Sequence, residues 1–317
     1  MTENASRTRF PGIDILRGAA VAAMIVYHFA WDLRFFTLIT TDIVHHPFWS
    51  GLARGIAGTF LLLSGVSLVL MARHGLDWGR YLKRLATVGG AALLVTIATF
   101  FAMPGSFIFF GILHCIALSS VLALPFLRLP VGVTMAAAAG VLILPLVFSH
   151  PVFDLPLLQW VGLGTKLPVT NDYVPVFPWF GAVLAGVGLG QLIARRQPAL
   201  LMSTPSRKLA LLARAGRLSL PIYLIHQPVL MALVGAIALA MPSQEADSIA
   251  QDFRQACEQS CVSAGESAPM CIRYCACSEA DIRKADLWTP LIRNNLTARQ
   301  QQQLSAITAQ CQVQSRR

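Results

Sequence analysis

The sequence predicts an all-α fold: a polytopic transmembrane helix bundle of about seven spans with a small disulfide-stapled helical C-terminal extension. Three observations predict it. The 317 residues are 55% hydrophobic and only 13% charged, with a mean hydropathy of +0.60, whereas soluble domains carry about 25% charged residues. Apolar runs of about 18–24 residues recur, the length that a bilayer about 30 Å thick requires. Six of the seven cysteines gather after the last run. The chain therefore divides into a transmembrane domain, 1–241, and a Cys-rich tail, 242–317.

The seven expected spans are 12–33, 52–72, 84–103, 107–127, 131–149, 175–194 and 217–241. Turns punctuate them: Pro104-Gly105-Ser106 after the third, Leu129-Pro130 after the fourth. The first span carries Asp14, Arg17, His28 and Asp32 among Ala, Val, Ile, Leu and Met. Each ionisable group in a membrane helix costs about 2.5–3.5 kcal/mol on insertion scales. At about 100° per residue Asp14 and Asp32 fall on one line, with Arg17 and His28 about 40–60° to one side. His28 and Asp32 are an i,i+4 pair. One face of this helix is thus polar from end to end. Two readings are open: snorkelling anchors at the interfaces, or a functional polar face in which Asp32 orients His28 as a base. The span is too long and too polar for a cleaved signal, and Trp31, Asp32 and Leu33 stand where small residues would mark cleavage.

The net charge of +10 follows membrane sidedness rather than marking a nucleic-acid partner. With the N-terminus in the cytoplasm, Arg7, Arg9, Arg17, Arg73, Arg80, Lys83, Arg84, Arg128, Arg195, Arg196, Arg207, Lys208, Arg214 and Arg217 are cytoplasmic, fourteen in all. The opposite loops, leaving out the tail, hold only Arg34 and Lys166, and Arg54 sits just inside the second span. That asymmetry predicts the N-terminus inside and, after seven spans, the tail outside.

The tail offers an independent check, because clustered cysteines in even number fit disulfides in an oxidising compartment. Two C-x3-C pairs on antiparallel helices joined around Gly265 to Pro269 let Cys257 face Cys275 and Cys261 face Cys271, leaving Cys277 and Cys311 as the third pair. A zinc site is the rival, although the C-x2-C hooks and nearby histidines are missing. Cys115, within the fourth span, reads as a small buried packing residue.

Small residues mark close helix contacts: Gly51, Gly55, Gly58, Ser64 and Gly65 on the second span, Ala182, Gly186 and Gly190 on the sixth. The outer loop 34–51 holds Asp42, His45, His46 and Trp49. The outer loop 150–174 holds Asp154, Trp160, Lys166, Asn171, Asp172 and Tyr173. They read either as covers for an outward-facing site or as solvated loops with an interfacial aromatic belt. Three histidines lie within spans, His28, His114 and His226, the last beside Tyr223 and Gln227. With Asp14 and Arg17 they suggest a shared polar cavity that Tyr27 also lines.

The segment Asp14-Ile15-Leu16-Arg17-Gly18-Ala19-Ala20, followed by Tyr27-His28 with ten residues between Arg17 and His28, resembles the first span of the acyltransferase-three family, which O-acylates extracytoplasmic sugars. Tyr27-His28-Phe29-Ala30-Trp31-Asp32-Leu33, Phe109–Ala117 and Pro178-Trp179-Phe180-Gly181 are similar to the bacterial relatives of the lysosomal heparan-alpha-glucosaminide N-acetyltransferase. In that group an active-site histidine lies shortly before W-x-G-L, a pattern matched by His46-Pro47-Phe48-Trp49-Ser50-Gly51-Leu52. The same group has Asn where this chain has His28, so the two histidines share or divide the role. The resemblance covers about residues 9–240.

The resemblance implies a transmembrane acyltransferase that uses cytoplasmic acetyl-CoA as donor and an extracytoplasmic sugar or glycan as acceptor. Arg17 and His28 are about 16 Å apart along the helix, so only a long donor spans them. Asp14, Arg17, Arg80, Lys83, Arg84, Arg214 and Arg217 are the candidate donor-binding residues, the cations for its phosphates. His28 or His46 would deprotonate the acceptor or take the acetyl group itself, with Asp32 fixing the tautomer. Tyr27, His114, Tyr223, His226 and Gln227 are expected in the substrate cavity. No metal is expected. The expected partners are the bilayer and the carbohydrate, not nucleic acid, and a homodimer is one oligomeric state the chain allows. The expected location is the bacterial inner membrane, N-terminus cytoplasmic and tail periplasmic. Two other readings are a haem-binding membrane redox protein, which a Soret band would reveal, and a proton-coupled transporter, which uptake without acetyl-CoA consumption would reveal.

Overall fold

The structure is a computed structural model that describes residues 10–44, 46–196, 206–240, 242–292 and 296–315. Arg7, Arg9, His45 and the side chain of Lys208 lie outside the described residues. Among those described the chain is all helical, with a single parallel bridge between Phe110 and Tyr173. The helices are α1 (Pro11–Phe35), α2 (Pro47–Ala72), α3 (Trp78–Ala102), α4 (Ile112–Leu122), α5 (Val131–Val147), α6 (Val176–Arg196), α7 (Arg207–Arg217) and α8 (Ser219–Ala240). The tail adds α9 (Pro242–Ser263), α10 (Ala268–Lys284), α11 (Trp288–Ile292) and α12 (Ala298–Ser315).

Five of these, α1, α2, α3, α6 and α8, are long and apolar enough to cross a membrane, and the protein is a multi-pass membrane protein. The other two expected spans are apolar helices too short for that test, α4 with 11 residues and α5 with 17. The expected 107–127 is helical only in its middle. Its first residues are tied instead to the loop before α6: Asn171 N donates to Ser106 O at 2.9 Å, Thr170 Oγ1 to Phe107 O at 2.8 Å and Val174 N to Phe110 O at 3.1 Å. These bonds satisfy backbone that is not helical, as an apolar setting demands. Beyond Leu122 the chain passes into a 3-10 turn at Pro125–Leu127, because proline brings no N–H to continue the helix.

α2 starts earlier than the expected residue 52. Pro47 takes its first turn and His46 caps it, Nδ1 accepting from Phe48 N at 3.3 Å. Trp49 is therefore a helical residue rather than a loop residue. α3 likewise starts early, where Asp77 accepts from Arg80 N at 3.0 Å. The expected seventh span, starting at 217, is α8 alone; the basic stretch before it forms its own helix, α7.

The chain forms two compact units, one of Met1–Trp31 with Asp42–Leu230, the other of Asp32–Thr41 with Met231–Arg317. In the first, α2 and α6 touch backbone to backbone. A Cβ on Gly65 would collide with the Val183 carbonyl, and one on Gly186 with the Leu62 carbonyl, so the small-residue lines of these two helices do pack as membrane helices do. Gly51 and Gly55, in contrast, face open space and are not part of that contact. The same device joins α7 to α1: a Cβ on Gly18 would strike Leu212 O, and one on Gly216 would strike Asp14 O. That contact brings the basic helix against the turn of α1 that carries Asp14 and Arg17. The core of the unit is built on Leu61, Leu68, Tyr81, Leu113, Val183, Leu184 and Val187.

In the second unit α9 and α10 form a hairpin around Gly265 (φ +92°), a left-handed position that suits glycine. Disulfides join Cys257 to Cys275, Cys261 to Cys271 and Cys277 to Cys311, as the C-x3-C spacing suggests. Cys115 is free and buried. Ile282, Leu287 and Trp288 form the small apolar core, packed by Phe253, Leu304 and Ile307.

Candidate active site

The polar face of α1 is divided along its length. Near its start, Arg17 Nη1 meets Asp14 Oδ1 at 3.2 Å, and Nη2 donates to Ser67 Oγ of α2 at 2.8 Å. Ser67 passes the bond on to Leu63 O at 2.6 Å. Arg84 of α3 makes one long contact, Nη2 to Ser64 O at 3.4 Å, and its buried Nη1 has no hydrogen-bond partner. Arg17 and Arg84 lie close enough to interact electrostatically. Both line a cavity of about 260 Å³, together with Ser64, Ser67, Phe60, Ile112, Ile116, Ser219 and Tyr223. Two guanidiniums thus line one cavity, and Asp14 pairs with Arg17. Two cations on one cavity wall favour an anion between them.

Tyr223 links this cavity to the histidines. Its ring lies 5.9 Å from that of His226, which meets His28 edge to face at 4.9 Å; His28 in turn lies 5.5 Å from Tyr27, and Tyr27 lies 6.4 Å from Trp49. So Tyr27, His28, Tyr223 and His226, from α1 and α8, do come together. The contact between the two histidine rings leaves no slot for a macrocycle between them, which counts against paired haem ligation.

His114 is tied into the start of α4. Its Nδ1 accepts from Gly111 N at 3.2 Å, so Nε2 carries the proton and faces Thr96 Oγ1 at 3.1 Å. Nδ1 thus holds the start of α4, and Nε2 ties it to α3. Asp172 completes that start from a distant loop, Oδ2 accepting from Ile112 N at 3.0 Å. The approach requires glycine at 111, where a Cβ would strike the carboxylate. Burial holds the Asp172 carboxyl up at about 6 against the opposing pull of the Ile112 N–H. Its charge acts on both Tyr27 and Tyr223. Sequence reasoning placed Asp172 only in a covering loop; nothing local tells of a partner sixty residues away.

The remaining candidates stand as follows. His46 is exposed and is the cap of α2. Asp32 is fully buried and belongs to the second unit. Gln227 follows His226 on α8. Arg80 is exposed and pairs with Asp77 at 2.5 Å, which holds that carboxyl below the usual range. Lys83, Arg214 and Arg217 are exposed. In the loop 150–174, Asp154 is a local organiser, accepting from Thr165 N, Thr165 Oγ1 and Lys166 N at 2.7, 2.6 and 3.1 Å.

A family model described as heparan-alpha-glucosaminide N-acetyltransferase, catalytic, matches residues 9–228. No curated protein and no solved structure matches the chain. The matched stretch contains the arginine cavity, the histidine pair and the Asp172 loop.

Proposed function

The chain belongs to the heparan-alpha-glucosaminide N-acetyltransferase catalytic family, and on that premise we propose that it moves an acetyl group from cytoplasmic acetyl-CoA to a hydroxyl or amine of a carbohydrate across the membrane. The observation that carries the donor assignment is the pair of guanidiniums, Arg17 and Arg84, on the wall of one cavity. Arg17 and Arg84 would hold an anionic part of the donor, with exposed Arg214 and Arg217 adding positive charge from α7. The donor supplies an activated acetyl thioester. Ser64 and Ser67 offer hydroxyls along the cavity wall, and Tyr223 stands where the wall meets the histidines.

His28 is the proton acceptor in this reading. It lies within a span, where an idle imidazole is unfavourable, and next to the aromatic surface of Tyr27 and Trp49, which suits a sugar ring. His46, by contrast, has one nitrogen engaged in capping. The location that fits is a bacterial inner membrane with the N-terminus and α7 on the donor side and the disulfide-bonded tail on the oxidising side.

Donor binding is the test. Arg84→Ala should weaken acetyl-CoA binding by about 1.5–3 kcal/mol, the loss of a charge-assisted contact, as measured by titration of purified protein in lipid nanodiscs. Unchanged affinity in both Arg84→Ala and Arg17→Ala would remove the donor from this cavity.

A further inference from the structure

His226 is buried, and the Proposed function leaves it without a task. Its Nδ1 lies 2.7 Å from Tyr223 O and 3.2 Å from Ile222 O. Carbonyl oxygens only accept, so Nδ1 carries the proton and Nε2 is left as a lone pair. That Nε2 is buried with no hydrogen-bond partner. The His28 ring lies edge to face against that of His226, at 4.9 Å between centroids and 62° between planes, with no hydrogen bond between the two as they stand.

We propose that His226 is the positioning residue of His28, its Nε2 accepting the N–H of the His28 imidazole once that ring turns toward it across the contact between α1 and α8. The inference rests on the acetyl-transfer reading for its purpose, but not for its geometry. Two neutral imidazoles can bond only if one offers a donor and the other a lone pair. The backbone carbonyls have settled which: His226 is the acceptor. The N–H of His28 therefore turns toward His226, and its second nitrogen is left bare, facing away. That bare nitrogen is the base. When it takes the proton of the acceptor hydroxyl or amine, the new C–O or C–N bond forms and the C–S bond breaks. The imidazolium of His28 keeps its bond to His226, and its new proton goes to the departing thiolate. No proton needs to leave His226. The logic is that of a catalytic triad in which a third group fixes the tautomer of the base, with a tautomer-locked histidine in place of a carboxylate.

The experiment compares His226→Asn and His226→Gln in the full chain in nanodiscs, reading the rate at which diethyl pyrocarbonate modifies His28, followed by mass spectrometry. Asn keeps an amide N–H for the Tyr223 carbonyl but is too short to place an acceptor at the position of Nε2. Gln reaches that position with an amide oxygen. His28 should react about five-fold more slowly in the Asn variant, the worth of one net hydrogen bond, and near the wild-type rate in the Gln variant. Equal rates in wild type and Asn would overturn the pairing. So would equal slowing in Asn and Gln, which would mark a packing role, and so would a wild-type His28 that does not react. Acetyl-CoA binding is measured on the same samples. Binding without the Asn–Gln contrast defeats the pairing alone; the contrast without binding defeats the donor assignment and leaves the pairing standing.

Discussion

The Cys-rich tail and the first unit differ in how they treat buried polar groups. In the tail, Glu279 is almost completely buried and is flanked on both sides, by Arg254 and by Arg283 at 3.2 Å. Arg273 closes the last turn of α12, donating to Ser315 O at 2.8 Å. The described side-chain atoms left buried without a partner near its core are neutral, the Ser278 hydroxyl and the Trp288 indole. In the membrane unit the unpartnered atoms include a guanidinium nitrogen, Arg84 Nη1, and an imidazole nitrogen, His226 Nε2. A charge buried for stability is paired within the fold. A guanidinium nitrogen or an imidazole lone pair left unanswered in a native fold calls for a functional reason. In the tail the buried charge is answered within the fold, whereas in the membrane unit part of it is not.

The sharpest way to break that contrast is at His28. His28→Ala should lower acetyl transfer by about 10²–10⁴, the usual loss on removing a general base, while acetyl-CoA affinity stays unchanged. His46→Ala should leave most of the turnover, since its ring is exposed and caps α2. A turnover loss that follows His46 instead would put the chemistry on the α2 cap and leave the histidine pair idle.

The next effect lies in the tail. Cys277 and Cys311 are 34 residues apart, and Cys261 and Cys271 only 10. Opening the longer loop by replacing both cysteines with serine should destabilise the tail by about 3–4 kcal/mol, about 1 kcal/mol more than opening the shorter one. Amide hydrogen exchange across 268–311 would register the difference. Equal losses would mean that native packing, not loop entropy, dominates these bridges.

The smallest effect is at Asp172, whose carboxyl is raised from 3.8 to about 6. Because the folded value lies above the unfolded one, the stability this group contributes is complete below about pH 4 and is lost as pH rises through about 6. Asn accepts the Ile112 N–H as well as Asp does and carries no charge. Asp172→Asn should therefore raise stability at pH 8 by about 1–2 kcal/mol, after allowing for solvent screening of a half-buried group. The advantage should close between about pH 6 and pH 4, read as melting temperature across pH. A destabilised variant at pH 8 would mean that the charge itself is needed at the α4 terminus.

Much of this was legible in one dimension. Hydropathy over some twenty residues is a local property, so the long spans stand out. The cysteine pairing follows from an i,i+4 repeat on two helices joined by a short turn. The first-span pattern of Asp14, Arg17 and His28 marked the helix that carries both halves of the candidate site. Local signals failed where a distant segment overrode them. The start of the fourth expected span reads as apolar and helical, yet its backbone bonds to residues 170–174. Trp49 reads as loop from the apolar run alone, although His46-Pro47 just before it is a helix start.

By itself, then, the amino-acid order determined the class of the fold, the residues able to do chemistry, and the covalent frame of the tail, because each depends on spacing within a helix or on composition. Tertiary structure alone decided which of those residues meet. Arg17 shares a cavity with Arg84, His28 faces His226, and Asp172 reaches Ile112. Those meetings depend on how helices are rotated and how closely they approach. Contacts such as Gly65 on Val183 and Gly216 on Asp14 set both. No periodicity along one helix encodes the rotation of another, so the partners of a buried arginine or histidine emerge only when the helices pack.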